Sequence, residues 1–350
     1  MTNDARWWSP ARHADRRAAL ITRNRLRRTL TDWFEAEDFT EVECPAVQVS
    51  PGNEAHLHAF ATTLLGPDGV PRQRYLHTSP EFTMKKLIAA GETRIFDFAR
   101  VWRNRERTAL HHPEFTMLEW YRVGSPYEDL MRDCADLLAI AATTAGGGPF
   151  RFRDRSADPY AEPERITVAE AFDRFAGIDL LATLHPTDPA GEPDRERLAA
   201  GARAAGVALA ADDTWSDIYS RVLAEKVEPH LGDDRPAILY EYPSHEAALA
   251  RPTAHDPRVA ERFELFACGV ELANAFGELT DPIEQRRRFG LEMAEKRRIY
   301  GEDYPLDEDF LAALATMPAT SGIALGFDRL VMLALGAPRI DDVLWAPVAG

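Results

Sequence analysis

The chain has 350 residues, of which 45% are hydrophobic, and it can therefore form one large domain or two ordinary ones. This apolar content excludes a disordered chain, and no run approaches the roughly 18 apolar residues of a membrane-spanning helix. With a net charge of −16, the chain lacks the overall positive field that drives non-specific nucleic-acid binding, although a local basic patch is not excluded. The scattered Cys44, Cys134 and Cys268 indicate neither a zinc motif nor a disulfide framework, which is typical of a cytoplasmic protein.

The first predicted elements are a helix and a short edge strand. Apolar residues spaced three and four apart predict a helix from about Asp15 to Glu37. We assign residues from about 1 to 22 to a basic N-terminal arm that leads into this helix. Val42 can begin a strand that Pro45 ends, because proline cannot donate a hydrogen bond within a sheet.

A strand, a helix and a long hairpin are predicted next. Arg74–His77 has strand character, and Ser79 followed by Pro80 is typical of a helix N-terminus. Arg94–Arg103 and Glu114–Tyr121 alternate apolar and polar residues, and a polar stretch of about ten residues joins them. This pattern predicts one antiparallel hairpin.

The middle of the chain is predicted to contain a loop and a helical insertion. Thr143–Pro163 contains three consecutive glycines and predicts a loop, and alanine-rich helical stretches favour an insertion over about residues 160–232. Strand character resumes at Ile238–Tyr242. Phe263–Phe266 and Val270–Ala273 are expected to form a second hairpin.

The C-terminal part predicts a helix, a strand and a final helix. Asp281 begins a helix that reaches about Tyr300, and Ile323–Leu325 is a predicted strand. Asp328–Leu335 is a predicted helix that Gly336 closes. Strands joined by hairpins with helices between them favour an α+β fold, in which helices flank one antiparallel sheet within a single domain, residues 1–350.

The first hairpin carries the strongest chemical pattern. Because side chains alternate along a strand, Phe115, Glu119 and Tyr121 share one face, and Arg103 ends the facing strand. Arginine suits the bidentate binding of phosphate, and an aromatic ring beside it can stack on a nucleobase. The alternative is a structural hairpin, with a buried aromatic face and solvated loop charges.

Two further segments add candidate ligands. Glu271, Asn274 and Glu278 in the second hairpin suit Mg²⁺ or an ammonium group, and a solvated acidic edge is the alternative. Gly326 allows a close approach of a ligand. Arg329 lies in a first helical turn, where the helix dipole favours an anion; the alternative is an arginine paired with a nearby acid.

Together these segments resemble the catalytic domain of class II aminoacyl-tRNA synthetases, over about Arg23–Gly336. The helix and strand that end at Pro45 are similar to the dimer-forming motif 1, Phe98–Tyr121 to motif 2, and Gly322–Leu330 to motif 3. Segments that resemble the lysyl branch are Thr78–Lys86, Ala260–Glu264 and Glu271–Thr280.

Within that branch, the chain resembles the elongation factor P lysine ligases. Motif 1 begins too early for the anticodon-binding domain of lysyl-tRNA synthetases, and Ala324 stands where the tRNA-charging enzymes usually have glycine. The resemblance implies that lysine or (R)-β-lysine is activated with ATP and Mg²⁺ and attached to a lysine of elongation factor P. It also implies a homodimer, without stable tRNA binding and without membrane association.

The same resemblance implies the roles of individual residues. Arg103 and Arg329 are the implied catalytic residues, and Glu271 and Glu278 the implied Mg²⁺ ligands. Arg103 is expected to hold the α-phosphate, while Phe115 and Arg329 sandwich the adenine. The implied ATP-binding residues are Arg103, Asn104, Arg105, Glu106, His112, Phe115, Glu271, Leu272, Gly326 and Arg329. The implied substrate-binding residues are Ser79, Pro80, Glu81, Glu119, Tyr121, Asn274, Glu278 and Ala324.

One departure from the class pattern leaves alternatives open. Arg105 stands where motif 2 has a glutamate, and Glu106 follows one place later. Either Glu106 takes over the glutamate's role, or the loop approaches ATP differently. Two other functions also remain open: a truncated ligase that charges tRNA, and an inactive paralogue that binds a partner.

Overall fold

An eight-stranded sheet organises the computed structural model, which describes residues 6–188 and 190–349. The strands are β1 Thr40–Glu41, β2 Val47–Gln48, β3 Phe60–Leu65, β4 Pro71–Leu76, β5 Arg94–Trp102, β6 Glu114–Val123, β7 Phe150–Phe152, β8 Arg155–Ala157, β9 Glu164–Thr167, β10 Ala237–Tyr240, β11 Arg262–Ala267, β12 Val270–Gly277 and β13 Thr320–Gly326. The α-helices are α1 Pro10–Ala36, α2 Glu81–Ala89, α3 Glu128–Ala145, α4 Val168–Ala176, α5 Arg195–Ala204, α6 Trp215–Val222, α7 Pro282–Tyr300, α8 Glu308–Leu314 and α9 Phe327–Leu335.

The order of the strands in the main sheet is β1-β5-β6-β13-β12-β11-β10-β9. The pairs from β5 through β10 are antiparallel, and the edge strands β1 and β9 pair in parallel with their neighbours. The predicted α+β fold with an antiparallel sheet is confirmed, as are both predicted hairpins. This order places β6, β13 and β12, which are remote in sequence, side by side.

The two faces of the central strands have different environments. Leu118 and Trp120 of β6 are fully buried, together with Ile323 of β13, in a core that includes residues of α1, α3 and α9. The alternate residues of the same strands point to the opposite face. That face is therefore available for polar side chains and for a ligand.

The segment predicted as a helical insertion contains three α-helices and, near its start, one strand. Helices α4, α5 and α6 pack around their own core, which includes Phe172 and Trp215. However, β9 lies inside the predicted insertion and pairs in parallel with β10. Only Ile166 of this four-residue strand is buried, so its sequence has too little alternation to predict a strand.

Two other segments correct the sequence predictions. The predicted loop Thr143–Pro163 contains the hairpin of β7 and β8, in which Phe150 and Phe152 are buried. The predicted N-terminal arm is helical from Pro10, because Ser9 caps α1 and proline suits a first helical position. Residues 1–5 of that arm lie outside the described residues.

A buried carboxylate joins the first helix to the two strands that carry the predicted motifs. Asp328, at the start of α9, is fully buried and accepts hydrogen bonds from Arg23 Nη2 of α1 at 2.7 Å and from the backbone amide of Thr116 in β6 at 2.7 Å. Arg23 also donates to the Thr116 hydroxyl. Among the described residues, no helix is long and apolar enough to cross a membrane.

We predict that Asp328→Asn lowers the free energy of unfolding by about 3–5 kcal/mol, because it leaves the Arg23 guanidinium without its buried anion. Asp68→Asn is the control, since the Asp68–Arg72 pair is exposed and its attraction is screened by water and salt, so its loss should change the stability little. Urea denaturation of both variants measures the difference. Equal losses would contradict this role of Asp328.

Candidate active site

A cleft of about 280 Å³ opens on the polar face of the central strands. Arg103 and Arg329, which are 226 residues apart by their numbers in the chain, both line it. The predicted site residues that line this cleft are Ser79, Glu81, Arg103, Glu106, His112, Phe115, Glu271, Leu272, Asn274, Ala324, Gly326 and Arg329. Four distant segments of the chain thus contribute these residues to one cavity.

The two arginines are held in place by different contacts. The Arg103 guanidinium lies over the Phe115 ring, with its carbon 5.4 Å from the ring centre. Arg329 Nη1 donates to the backbone oxygen of Glu271 at 2.9 Å, and its Nη2 lies 2.8 Å from His111 Nε2. Phe115 therefore stacks with Arg103 here, and its predicted adenine sandwich with Arg329 stays a prediction.

The motif 2 loop separates Arg105 from Glu106. Arg105 has a positive φ of 66°, and its Nη2 lies 2.5 Å from Glu302 Oε1, outside the cleft. The backbone amide of Asn104 donates to the backbone oxygen of His58 at 2.6 Å. This contact holds the loop, and Asn104 does not line the cleft. Glu106 lines the cleft. Of the two alternatives for this loop, the geometry favours Glu106 as the residue that faces ATP.

His112 borders the cleft but is itself buried. Its Nδ1 lies 2.5 Å from the backbone oxygen of Glu114, and its Nε2 accepts a hydrogen bond from the amide of Val348 at 3.0 Å. Both ring nitrogens are thus engaged by the protein backbone. His112 is placed to fix the loop against the C-terminal segment.

The other end of the cleft is acidic. Sheet register aligns Glu119 with Ala324 and Ala324 with Asn274, so the three side chains lie in one row on the cleft face. Glu119 is the buried member of this row; it accepts hydrogen bonds from Ser79 Oγ at 2.6 Å and from the Tyr121 hydroxyl at 3.2 Å. Burial raises the pKa of Glu119 to about 8, although Ser79 opposes the shift.

Lys85 is a residue of this region that the sequence analysis missed. Its buried ammonium lies 2.5 Å from Glu278 Oε2 and also contacts Glu81. Burial acts to lower the pKa of Lys85, but the attraction of Glu278 and Glu81 raises it overall. For the Glu278 carboxyl group, burial raises the pKa to about 7, although the positive charge of Lys85 acts to lower it. The spacing of Glu81 and Lys85, four residues apart on a helix, was the available signal.

Gly322 allows these acidic side chains to approach one another. A Cβ atom at this position would lie under 3.0 Å from the Tyr121 ring and from Glu278 Oε1. Tyr121 and Glu278 therefore meet over β13 only because residue 322 has no side chain. Pro80 precedes α2 without facing the cleft, and the Ser79 hydroxyl accepts from the amide of Glu81 at 3.0 Å.

Comparison with known proteins agrees with this arrangement. The family model of tRNA synthetases class II (D, K and N) matches residues 2–349. The chain belongs to this class II synthetase family. The segments that resemble motifs 2 and 3 of this family both line the cleft, with Arg103 from the first and Arg329 from the second.

Curated relatives within the class are similar over nearly their whole length. An elongation factor P–(R)-β-lysine ligase of Sodalis glossinidius is 38% identical, with 98% of each chain covered. Ligases of the same name from Vibrio cholerae and Proteus mirabilis are 37% and 36% identical, with 94% and 97% of each chain covered.

The class implies Mg²⁺, and the two predicted ligands fit it unequally. Glu271 is 43% exposed and faces the cleft beside Arg329, which suits Mg²⁺ bound by one carboxylate and nucleotide phosphates. Glu278 lies beyond the far end of β12, against Lys85; a seven-residue separation along a strand corresponds to roughly 20 Å. Within residues 6–188 and 190–349, no group of three or more His, Cys, Asp or Glu side chains is arranged for a metal ion. Glu271 is thus the better candidate.

We predict that Lys85→Met lowers the free energy of unfolding by about 3 kcal/mol at alkaline pH, because two buried carboxylates lose their cation. The loss should be smaller at acid pH: burial raises the pKa of Glu278 in the folded state, and without Lys85 nothing from that residue opposes the shift, so folding takes up a proton and stability falls as the pH rises. Urea denaturation at about pH 6 and about pH 8 tests this dependence.

The matched control is Lys86→Met, the next residue of α2, whose more exposed ammonium pairs with Asp307 and Asp309. This variant is expected to lose no more than about 1 kcal/mol. A Lys85 variant that behaves like the Lys86 variant would show that the buried cation does not stabilise the acidic pair.

Proposed function

We propose that the chain is an ATP-dependent ligase that activates lysine or (R)-β-lysine as an aminoacyl-adenylate and transfers it to a lysine of elongation factor P. The observation that carries this proposal is one cleft with arginines at one end and, at the other, Ser79 and Glu81, which connect it to the buried carboxyl groups of Glu119 and Glu278. Triphosphate suits the first end and a diamine the second. The names of the relatives support the same substrate and acceptor.

The first step needs positioning more than proton transfer. A carboxylate oxygen of the amino acid forms a bond to the α-phosphorus as the bond to pyrophosphate breaks, and negative charge develops on the phosphate oxygens. Arg103 and Arg329 are placed to stabilise that charge in a partly enclosed cleft. Mg²⁺, when bound, would neutralise phosphate charge, with Glu271 as the better placed of the two predicted protein ligands.

The second step transfers the acyl group. The lysine amine of elongation factor P attacks the adenylate carbonyl, a C–N bond forms, the C–O bond to AMP breaks, and the amine releases a proton. The substrate is selected by charge: Glu81 and Glu278 share the ammonium of Lys85, and Glu119 contacts the hydroxyls of Ser79 and Tyr121, so these three carboxyl groups contact a single cation among the described residues. The two ammonium groups of a diamino acid would balance this excess.

Three further features of the proposal concern partners and location. The likeness of α1 and β1 to motif 1 supports a homodimer. The net charge of −16 argues against stable tRNA binding, which needs a basic surface. The three thiols are free, which supports a reducing, cytoplasmic setting.

We predict ATP–pyrophosphate exchange that depends on lysine or (R)-β-lysine, and an Arg329→Ala variant with about 10²- to 10³-fold lower kcat, because a donor to the developing charge is lost. Mass spectrometry of elongation factor P and of tRNA after incubation with ATP and each amino acid then identifies the acceptor. Aminoacylated tRNA with unmodified elongation factor P would instead indicate a tRNA ligase. Absence of exchange with both diamines would refute the activity.

We also predict that the KM for the diamine falls as the pH rises from about 6 to about 8, whereas the KM for ATP changes less. Glu119 and Glu278 have pKa values of about 8 and about 7, and protonated carboxylates bind ammonium groups weakly. Ser79, Tyr121 and Lys85, which contact them, keep their protonation state over this range. A flat KM for the diamine would contradict the prediction, and calorimetry in two buffers should detect proton release on binding.

A further inference from the structure

Glu54 is a cleft residue that neither the sequence motifs nor the proposed mechanism uses. It lies in the segment between β2 and β3 and lines the cleft together with Ser79, Glu81 and Arg103. Its side chain is partly buried. A carboxylate in this position is expected to need a cation or a hydrogen-bond donor.

The structure provides no such partner. Within residues 6–188 and 190–349, Glu54 makes no hydrogen bond and no ion pair, whereas Glu81 and Glu278 share Lys85, and Glu119 binds Ser79 and Tyr121. Burial raises the pKa of Glu54 to about 7, even though the charge of Arg103 opposes the shift. The carboxyl group thus lines the cleft without a direct partner among the described residues.

A purely structural role for Glu54 has little support, because its neighbours already hold this segment. The Ala55 amide donates to Glu292 Oε2 at 2.9 Å, and the buried Lys296 ammonium donates to the backbone oxygens of Ala55 and Leu57 at 3.0 Å and 2.7 Å. The segment is therefore anchored from α7 through its backbone. The Glu54 side chain is left free to face the cleft.

The charged neighbours of Glu54 indicate which part of a substrate it would meet. It lies within the electrostatic range of both Arg103 and Glu81. In the proposed reaction, Arg103 holds the α-phosphate, so the reacting carboxylate of the amino acid must lie nearby. The amine closest to that carboxylate is then the group nearest to Glu54, while Glu119 and Tyr121 form the deeper, buried end.

We propose that Glu54 binds the ammonium group nearest to the reacting carboxylate and so helps to select a diamino acid. This inference rests on the proposed function and adds a specificity residue to it. The ligand class is a six-carbon carboxylic acid with one amine near the carboxylate and one at the far end, as in 2,6- or 3,6-diaminohexanoate. The far amine is left to Glu119.

The test combines a variant with a substrate analogue that lacks one amine. Glu54→Gln keeps the shape of the side chain and removes its charge; it should raise the KM of lysine or (R)-β-lysine roughly 10- to 100-fold, the effect of losing a charge-assisted hydrogen bond. The inhibition constant of 6-aminohexanoate, which lacks the near amine, should change within about twofold. Glu54→Asp, which retains the charge, should recover part of the loss.

The matched control is Glu106→Gln, which neutralises another cleft acid without a hydrogen bond or ion pair in the described chain, located at the motif 2 loop. It should alter the KM for ATP and leave the ratio between lysine and 6-aminohexanoate unchanged. Thermal unfolding of each variant establishes that it is folded.

Each result has one meaning. Equal weakening of lysine and 6-aminohexanoate by Glu54→Gln would overturn the proposal, because Glu54 would then contact the far amine. An unchanged KM for both diamines would overturn it as well. Neither result would affect the proposed activity, which is judged separately by the exchange that the unaltered protein shows with lysine or (R)-β-lysine; a protein that binds neither diamine would refute both.

Discussion

The buried carboxylate of Asp328 is the contact on which the site depends. It accepts hydrogen bonds from Arg23 of α1 and from the Thr116 amide of β6, and it begins the helix that carries Arg329. Three segments that are far apart in the chain are therefore positioned by one charge in a low-dielectric interior, where partners for such a charge are obligatory. Because Asp328 is satisfied by Arg23, its neighbour Arg329 needs no ion pair with it and can extend into the cleft.

Because side chains alternate along each strand, the residues that form the core and the residues that face the cleft lie on opposite sides of the sheet. In β6, Leu118 and Trp120 enter the core, whereas Glu119 and Tyr121 point to the cleft face. The same period in β13 places Gly322, Ala324 and Gly326 on that face, where small residues leave room above the strand. A one-residue shift in register would turn Glu119 into the apolar core and Trp120 to the cleft face, so the packing of the core also determines the position of the site.

This division explains how much could be predicted from the sequence. The two hairpins, the shared face of Phe115 and Glu119, and the convergence of Arg103 with Arg329 follow from local periodicity and from family motifs. The pairing of Lys85 with Glu278 and the position of Glu54 in the cleft could not be predicted, because they depend on segments that meet only through the fold. Strand β9 was missed since its pairing with β10, rather than its own short pattern, stabilises it. The separation of Arg105 from Glu106 depends on a positive φ that arginine rarely adopts.

The ammonium of Lys85 explains how this acidic pocket can be stable when no substrate is bound. Glu81 and Glu278 would repel each other and bury an unbalanced charge if no cation lay between them. Lys85 removes that penalty for this pair, and the remaining excess of carboxylates is reduced by the raised pKa values of Glu119 and Glu54, which let these groups hold protons at neutral pH. An entering ammonium can displace such a proton but cannot displace Lys85. The empty site is therefore stable, and its affinity is directed toward ligands that bring positive charge.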